Sequence, residues 1–211
     1  MNSRGKLIAF CGIDGAGKTT QIDKLLQALD RQPDVITTKE PTDWFRSDSL
    51  VRAYLDLEVA ATTEVLAELC LFAAADRLRH SREFLEPRLA AGHIVLCDRY
   101  VFCGYASLAA AGLTDLEWQV AINRHVLLPD ITIYLDVEPE VACDRIMSRD
   151  RKFRKRQETD IPFLAKMRAA YKAQAWHRES DSPYVVVDGS APPELVAREV
   201  QAIVQPILED R

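Results

Sequence analysis

Leu7–Cys11 is a short apolar run that passes directly into Gly12-Ile13-Asp14-Gly15-Ala16-Gly17-Lys18-Thr19-Thr20. No other feature restricts the fold of this chain as strongly. The spacing is G-x-x-x-x-G-K-[ST], the pattern of a phosphate-cradling P-loop. Such a loop works when a strand delivers it and a helix begins inside it. The apolar run supplies the strand and the amphipathic stretch TTQIDKLLQALD the helix. Glycines let the backbone bend until several N–H groups converge on one anion. The positive end of the helix adds to that field. Gly12, Asp14, Gly15, Ala16, Gly17, Lys18, Thr19 and Thr20 are therefore the candidate contacts to a nucleoside triphosphate. Lys18 is expected to reach the β- and γ-phosphates, and the Thr19 hydroxyl to bind Mg²⁺.

Four further apolar runs read as buried strands: Asp34–Thr38, His93–Cys97, Ile131–Leu135 and Tyr184–Val187. Amphipathic segments of helical length separate them. This alternation predicts an α/β fold with a largely parallel sheet, its crossovers made by helices. A length of 211 residues fits one domain, 1–211. The 27 basic and 32 acidic residues give −5, which offers no drive towards nucleic acid or an anionic membrane. No apolar run approaches the roughly 20 residues of a membrane span. The opening MNSRGKLIAF lacks the apolar core and cleavage site of a signal peptide, so a cytoplasmic protein is expected. Five cysteines, Cys11, Cys70, Cys97, Cys103 and Cys143, sit among small or apolar neighbours and read as buried reduced thiols.

The run Ile94–Cys97 ends in Asp98-Arg99-Tyr100. A carboxylate at the end of a parallel strand beside a P-loop can hold Mg²⁺ or its waters, the role expected of Asp98. Arg99 is placed to grip a phosphate with its planar fork. An Asp–Arg pair capping the next helix is the plainer alternative. Asp136 reads mainly as a strand-end or cap carboxylate. Val65–Ala75 (VLAELCLFAAA) is expected to be a helix buried nearly all round, either in the core or shared with a dimer interface. Arg149–Arg156 (RDRKFRKR) carries six basic residues and one acidic one, a net +5 that leaves −10 on the rest of the chain. Alone, such a run reads as a solvated loop. These residues describe a P-loop nucleotide-binding protein without an evident guanine-reading N-K-x-D.

The motifs resemble those of the thymidylate kinase family over nearly the whole chain. GIDGAGKTT, KEP (Lys39–Pro41), AADRLRH (Ala74–His80), LEPRLAAGHIVLCDRYV (Leu85–Val101), LLPDITIYLDVEPEVA (Leu127–Ala142) and the basic segment ending RQE carry the likeness. The resemblance implies the fold of P-loop-containing nucleoside triphosphate hydrolases, a five-stranded parallel sheet flanked by helices with the P-loop strand central. It implies ATP as donor, Mg²⁺ as cofactor, a nucleoside monophosphate such as dTMP as acceptor, and a homodimer. Position by position, it gives Asp98 to Mg²⁺, Arg99 and Arg52 to the acceptor phosphate, Arg77 to the base, and Asp14 to the acceptor sugar and phosphate. The P-loop's variable positions carry no arginine. Cations must converge on the transferring group, so Arg149, Arg154 and Arg156, in a lid over residues 149–158, are expected to supply them.

The likeness breaks at three places. The family's base-stacking Phe stands four residues before the base-reading Arg, where this chain has Ala73. Phe72, five before, points about 100° away on a regular helix, so a π-bulge returning it to the site is expected, with Phe72 as plain core the alternative. The family's Tyr nine residues after the Asp is Ser107 here, with Tyr105 as a possible substitute. R-E-P-G-G becomes Lys39-Glu40-Pro41-Thr42-Asp43, with a cis peptide at Pro41 expected beside the acceptor. The alternatives are a related kinase for dUMP, UMP or a nucleoside, and a nucleotide-binding regulatory protein without turnover.

Overall fold

The computed structural model describes residues 4–29, 34–148, 159–174 and 182–209. Five strands, β1 (Leu7–Cys11), β2 (Val35–Lys39), β3 (Ile94–Asp98), β4 (Ile131–Asp136) and β5 (Tyr184–Asp188), form one sheet in the order β2-β3-β1-β4-β5. Every pairing is parallel. All residues of β1 and β3 are buried, which explains their uninterrupted apolar sequences. The strands match the expected runs, but four of the five end one residue later. In three of them the added residue is Asp98, Asp136 or Asp188, a carboxylate at the carboxyl edge of the sheet.

Helices α1 (Lys18–Ala28), α2 (Asp43–Arg46), α3 (Ser49–Leu55), α4 (Thr63–His80), α5 (Glu86–Ala90), α6 (Val101–Ala111), α7 (Leu116–Ile122), α8 (Pro139–Met147), α9 (Ile161–Gln174) and α10 (Pro193–Glu209) flank the sheet. α6 packs on α9, α1 on α10, and α4 on α6. β1 is central, and its register sets Phe10 beside Asp98 of β3. The P-loop and the segment following β3 therefore open side by side at the carboxyl edge, where ligands of such sheets bind.

α4 is longer than Val65–Ala75 and is not buried all round. Leu66, Leu69, Cys70, Ala73 and Ala74 are buried, while Leu71 and Leu78 are 51% and 47% exposed. The π-bulge expected between Phe72 and Arg77 is absent, since α4 is regular through His80. A π-helical turn follows instead at Ser81–Leu85, where Glu86 N donates to Ser81 O. Pro87, just beyond, has no N–H for an ordinary helical bond, which favours the wider turn there.

Candidate functional site

The P-loop keeps its shape through backbone that only glycine allows. Gly15 has φ 82°, and a Cβ there would overlap the Ala142 carbonyl of α8. Gly17, at φ 96°, is the left-handed N-cap from which α1 starts. Lys18 is buried and folds back over the loop, its Nζ donating to Gly12 O and Ile13 O at 2.9 Å each. Burial and the neighbouring Arg99 guanidinium push its ammonium pKa down. Asp14 is held below the usual carboxylate range, because Arg99 and Lys18 outweigh the upward push of burial.

Beyond the loop, Thr19 Oγ1 donates to Asp98 Oδ2 at 3.2 Å, and Lys39 Nζ lies 3.6 Å from the same oxygen. Asp98 Oδ1 is buried with no hydrogen-bond partner among the described residues. Arg99 sits at φ 71°, rare for a residue with a side chain, and its N–H donates to Phe10 O at 2.9 Å. This backbone aims the guanidinium at the P-loop, where it pairs with Asp14 and not with Asp98. Burial opposes its charge, but Asp14 more than compensates and raises its pKa.

A cavity of about 470 Å³ runs from the P-loop into the space between α3, α4, α6 and α9. Asp14, Gly15, Gly17, Lys18 and Thr19 form its phosphate end. Gly12, Ala16 and Thr20 lie off its wall, and Gly12 O instead anchors Lys18. The far end is apolar: Phe45, Val51, Tyr54, Leu69, Ala73, Leu108, Phe163 and Met167 close it, with Ser107 from α6. Arg77, 4% exposed, brings a cation to that end, with Glu40 3.6 Å from its Nε. Lys18, Lys39, Arg46, Arg77 and Arg99 outnumber Asp14, Glu40 and Asp98 along the lining, so the cavity suits an anion with an apolar body.

The Glu40–Pro41 peptide is cis and Pro41 lines the cavity. This turn is held to α4 through Asp76, Arg77 and His80. Asp76 accepts from Thr42 N at 2.8 Å and from Thr42 Oγ1 at 2.5 Å. His80 Nδ1 lies 2.8 Å from Glu40 Oε1. Burial pushes the Glu40 carboxyl up, against the pull of His80 and Arg77.

Three expected contacts stand off the cavity wall. Arg52 is exposed, its Nε donates to Arg46 O at 3.4 Å, and it does not line the cavity; Arg46 does, with Nε on Pro41 O at 2.8 Å. Phe72 points off the cavity, as regular helical geometry dictates, and packs behind Phe45 with ring centroids 5.4 Å apart. Of that pair, Phe45 is the one on the wall. Tyr105 is buried against Phe102 and off the lining, since its position on α6 faces away from Ser107 and Gly104. Burial raises its phenol to about 12. Arg149, Arg154 and Arg156 lie outside the described residues. Asp136 accepts from Arg168 Nε at 2.6 Å, a strand-end carboxylate away from the cavity. All five cysteines are free; four are buried, with Cys103 on the cavity wall 3.2 Å from the Cys11 thiol.

A family model described as thymidylate kinase matches residues 10–200. A probable thymidylate kinase of Pyrobaculum calidifontis is 37% identical over 200 residues, covering 94% of this chain and 95% of that protein. A thymidylate kinase of Staphylococcus epidermidis is 36% identical over 182 residues, covering 84% and 85%. One from Jannaschia sp. is 34% identical over 206 residues, covering 93% and 94%.

Proposed function

We infer the chemistry of this cavity from the premise that the chain belongs to the thymidylate kinase family. It is an ATP-dependent nucleoside-monophosphate kinase that transfers the γ-phosphoryl group of ATP to dTMP, giving dTDP. The observation that carries this reading onto the chain's own residues is the continuity of the cavity, from the Lys18 ammonium through Arg46 and Arg99 to buried Arg77. The attacking oxygen belongs to a phosphate already anionic at neutral pH, so positioning and charge neutralisation are the work required.

In this reading Lys18 exchanges its bonds to Gly12 O and Ile13 O for the β- and γ-phosphates. Arg99 and Arg46 hold the acceptor phosphate in line, with Asp14 fixing Arg99. Arg77 donates to the base, Phe45 and Ala73 cover its faces, and Ser107 meets the sugar. Thr19 and Asp98 fit Mg²⁺, because they set hard oxygens side by side and Asp98 Oδ1 is buried without a partner among the described residues. Bound there, Mg²⁺ would neutralise charge on the donor phosphates. Arg149, Arg154 and Arg156 are proposed as the lid that completes the positive field. A homodimer is supported by the half-exposed Leu71 and Leu78, seven residues apart on one face of α4. The cytoplasm suits five free cysteines. No helix among the described residues is long and apolar enough to cross a membrane.

Chromatography of a reaction containing ATP, Mg²⁺ and dTMP tests the reading. ADP and dTDP are expected in equal amounts. Background ATP consumption with dTMP present would favour a nucleotide-binding protein without turnover.

A further inference from the structure

Resting on the reading that Arg77 meets the acceptor's pyrimidine, we infer that Asn123 is a positioning residue that fixes which N–H groups of Arg77 face the cavity, and thereby sets the preference for a 4-keto over a 4-amino pyrimidine. Arg77 has five donors in a rigid plane and no acceptor. Nη1 donates to Asn123 Oδ1 at 3.0 Å, and both groups are buried. Nε lies 3.6 Å from Glu40 Oε2. Nη2 rests against the bare Cα of Gly104 on α6, where a Cβ would overlap it. The guanidinium is therefore clamped on three edges, and its remaining N–H bonds are the ones free to meet a ligand.

Asn123 is itself fixed. Its Nδ2 donates to Gln119 O at 2.8 Å, and Gln119 Nε2 donates to Leu113 O at 2.9 Å. A flipped amide would set a donor against Arg77 and an acceptor against a carbonyl, so the two contacts hold Oδ1 towards the guanidinium. Asn123 does not line the cavity and acts on the acceptor only through Arg77. A donor-only group donates to the 4-carbonyl of thymine or uracil and opposes the 4-amino group of cytosine. That discrimination survives only while the guanidinium keeps its orientation.

Asn123→Leu and Asn123→Asp in the full chain test this. Asn123→Leu leaves an Arg77 N–H unpaired, so the dTMP KM should rise about 5- to 20-fold and the dTMP:dCMP ratio of kcat/KM should fall by a similar factor. The KM for ATP should stay within about 2-fold. Asn123→Asp loses the donor to Gln119 O but keeps an acceptor for Nη1, now strengthened by charge, and should keep dTMP KM within about 3-fold of the parent. If Asn123→Leu does not fold, Gly104→Ala displaces Nη2 from the opposite edge and should give the same signature. A folded Asn123→Leu or, failing that, Gly104→Ala with unchanged dTMP KM and unchanged dTMP:dCMP ratio overturns the inference, as does equal impairment by Leu and Asp. A parent enzyme without preference for dTMP over dCMP, or Arg77→Met with unchanged dTMP KM, would overturn the underlying reading instead.

Discussion

Arg46 and Arg99 carry like charge towards the same volume, and burial together with Arg99 pushes the Arg46 guanidinium down from its ordinary pKa. A phosphate dianion between them would relieve that conflict. Arg46→Met should therefore raise dTMP KM about 10- to 100-fold, while Arg52→Met should change it less than about 3-fold; steady-state kinetics distinguishes the two. Phe45→Ala should raise dTMP KM about 3- to 10-fold with ATP KM unchanged, and Phe72→Ala by less, since Phe72 acts through Phe45. Asp14, Gly15, Gly17, Lys18, Thr19 and Arg99 were legible as cavity residues because the strand–loop–helix pattern that places them is local. Arg46 was not: Asp48 caps α3 by accepting from Leu50 N and Val51 N, so Arg46 and Arg52 fall on different helices with different outlooks. The 100° offset of Phe72 was also readable, but its partner Phe45 stands 27 residues away in sequence and only the folded chain brings the rings together.

The elements of the sheet were legible from uninterrupted apolar runs, because a strand covered on both faces has no alternation to obscure it. The strand-end carboxylates were less so, and Asp136 shows why they matter. Burial would raise its pKa, but Arg168, Lys172 and Tyr134 hold it at about 2. Its native pKa lies below the unfolded value of about 3.9, so its stabilisation is present above pH 4 and disappears as pH falls from about 4 to 2. Asp136→Asn should lower neutral-pH stability by on the order of 1–2 kcal/mol, allowing for solvent screening, and flatten the acid limb of a urea-midpoint profile. The basic segment 149–156 was legible only in part. Its composition was plain, whereas its role rests on the P-loop's lack of arginine. Arg154→Ala with Arg156→Ala should lower kcat by about 100-fold or more while changing dTMP binding little; unchanged turnover in a single-turnover experiment would remove the lid from the account.

At the scale of the whole molecule, the opening strand and loop fixed the class of fold, but their spacing did not reveal how far the cavity extends. The phosphate end is built by neighbours in sequence. The nucleoside end is assembled from α2, α3, α4, α6 and α9, and where the family pattern breaks, Ser107 lies on the wall while Phe72 and Tyr105 stand off it. The charge follows the same division: an acidic body with one concentrated basic segment, consistent with gripping a small polyanion. The proposed homodimer would use the exposed face of α4, so Leu71→Glu with Leu78→Glu should shift sedimentation towards the monomer. In the proposed reading one cavity joins the donor phosphates to a thymine-reading pocket. The most direct measurement is kcat/KM with ATP and Mg²⁺ across dTMP, dUMP, dCMP, UMP and thymidine. dTMP should exceed each of the others by about 10-fold or more. A value for dTMP equal to or below that of any other acceptor would contradict the account.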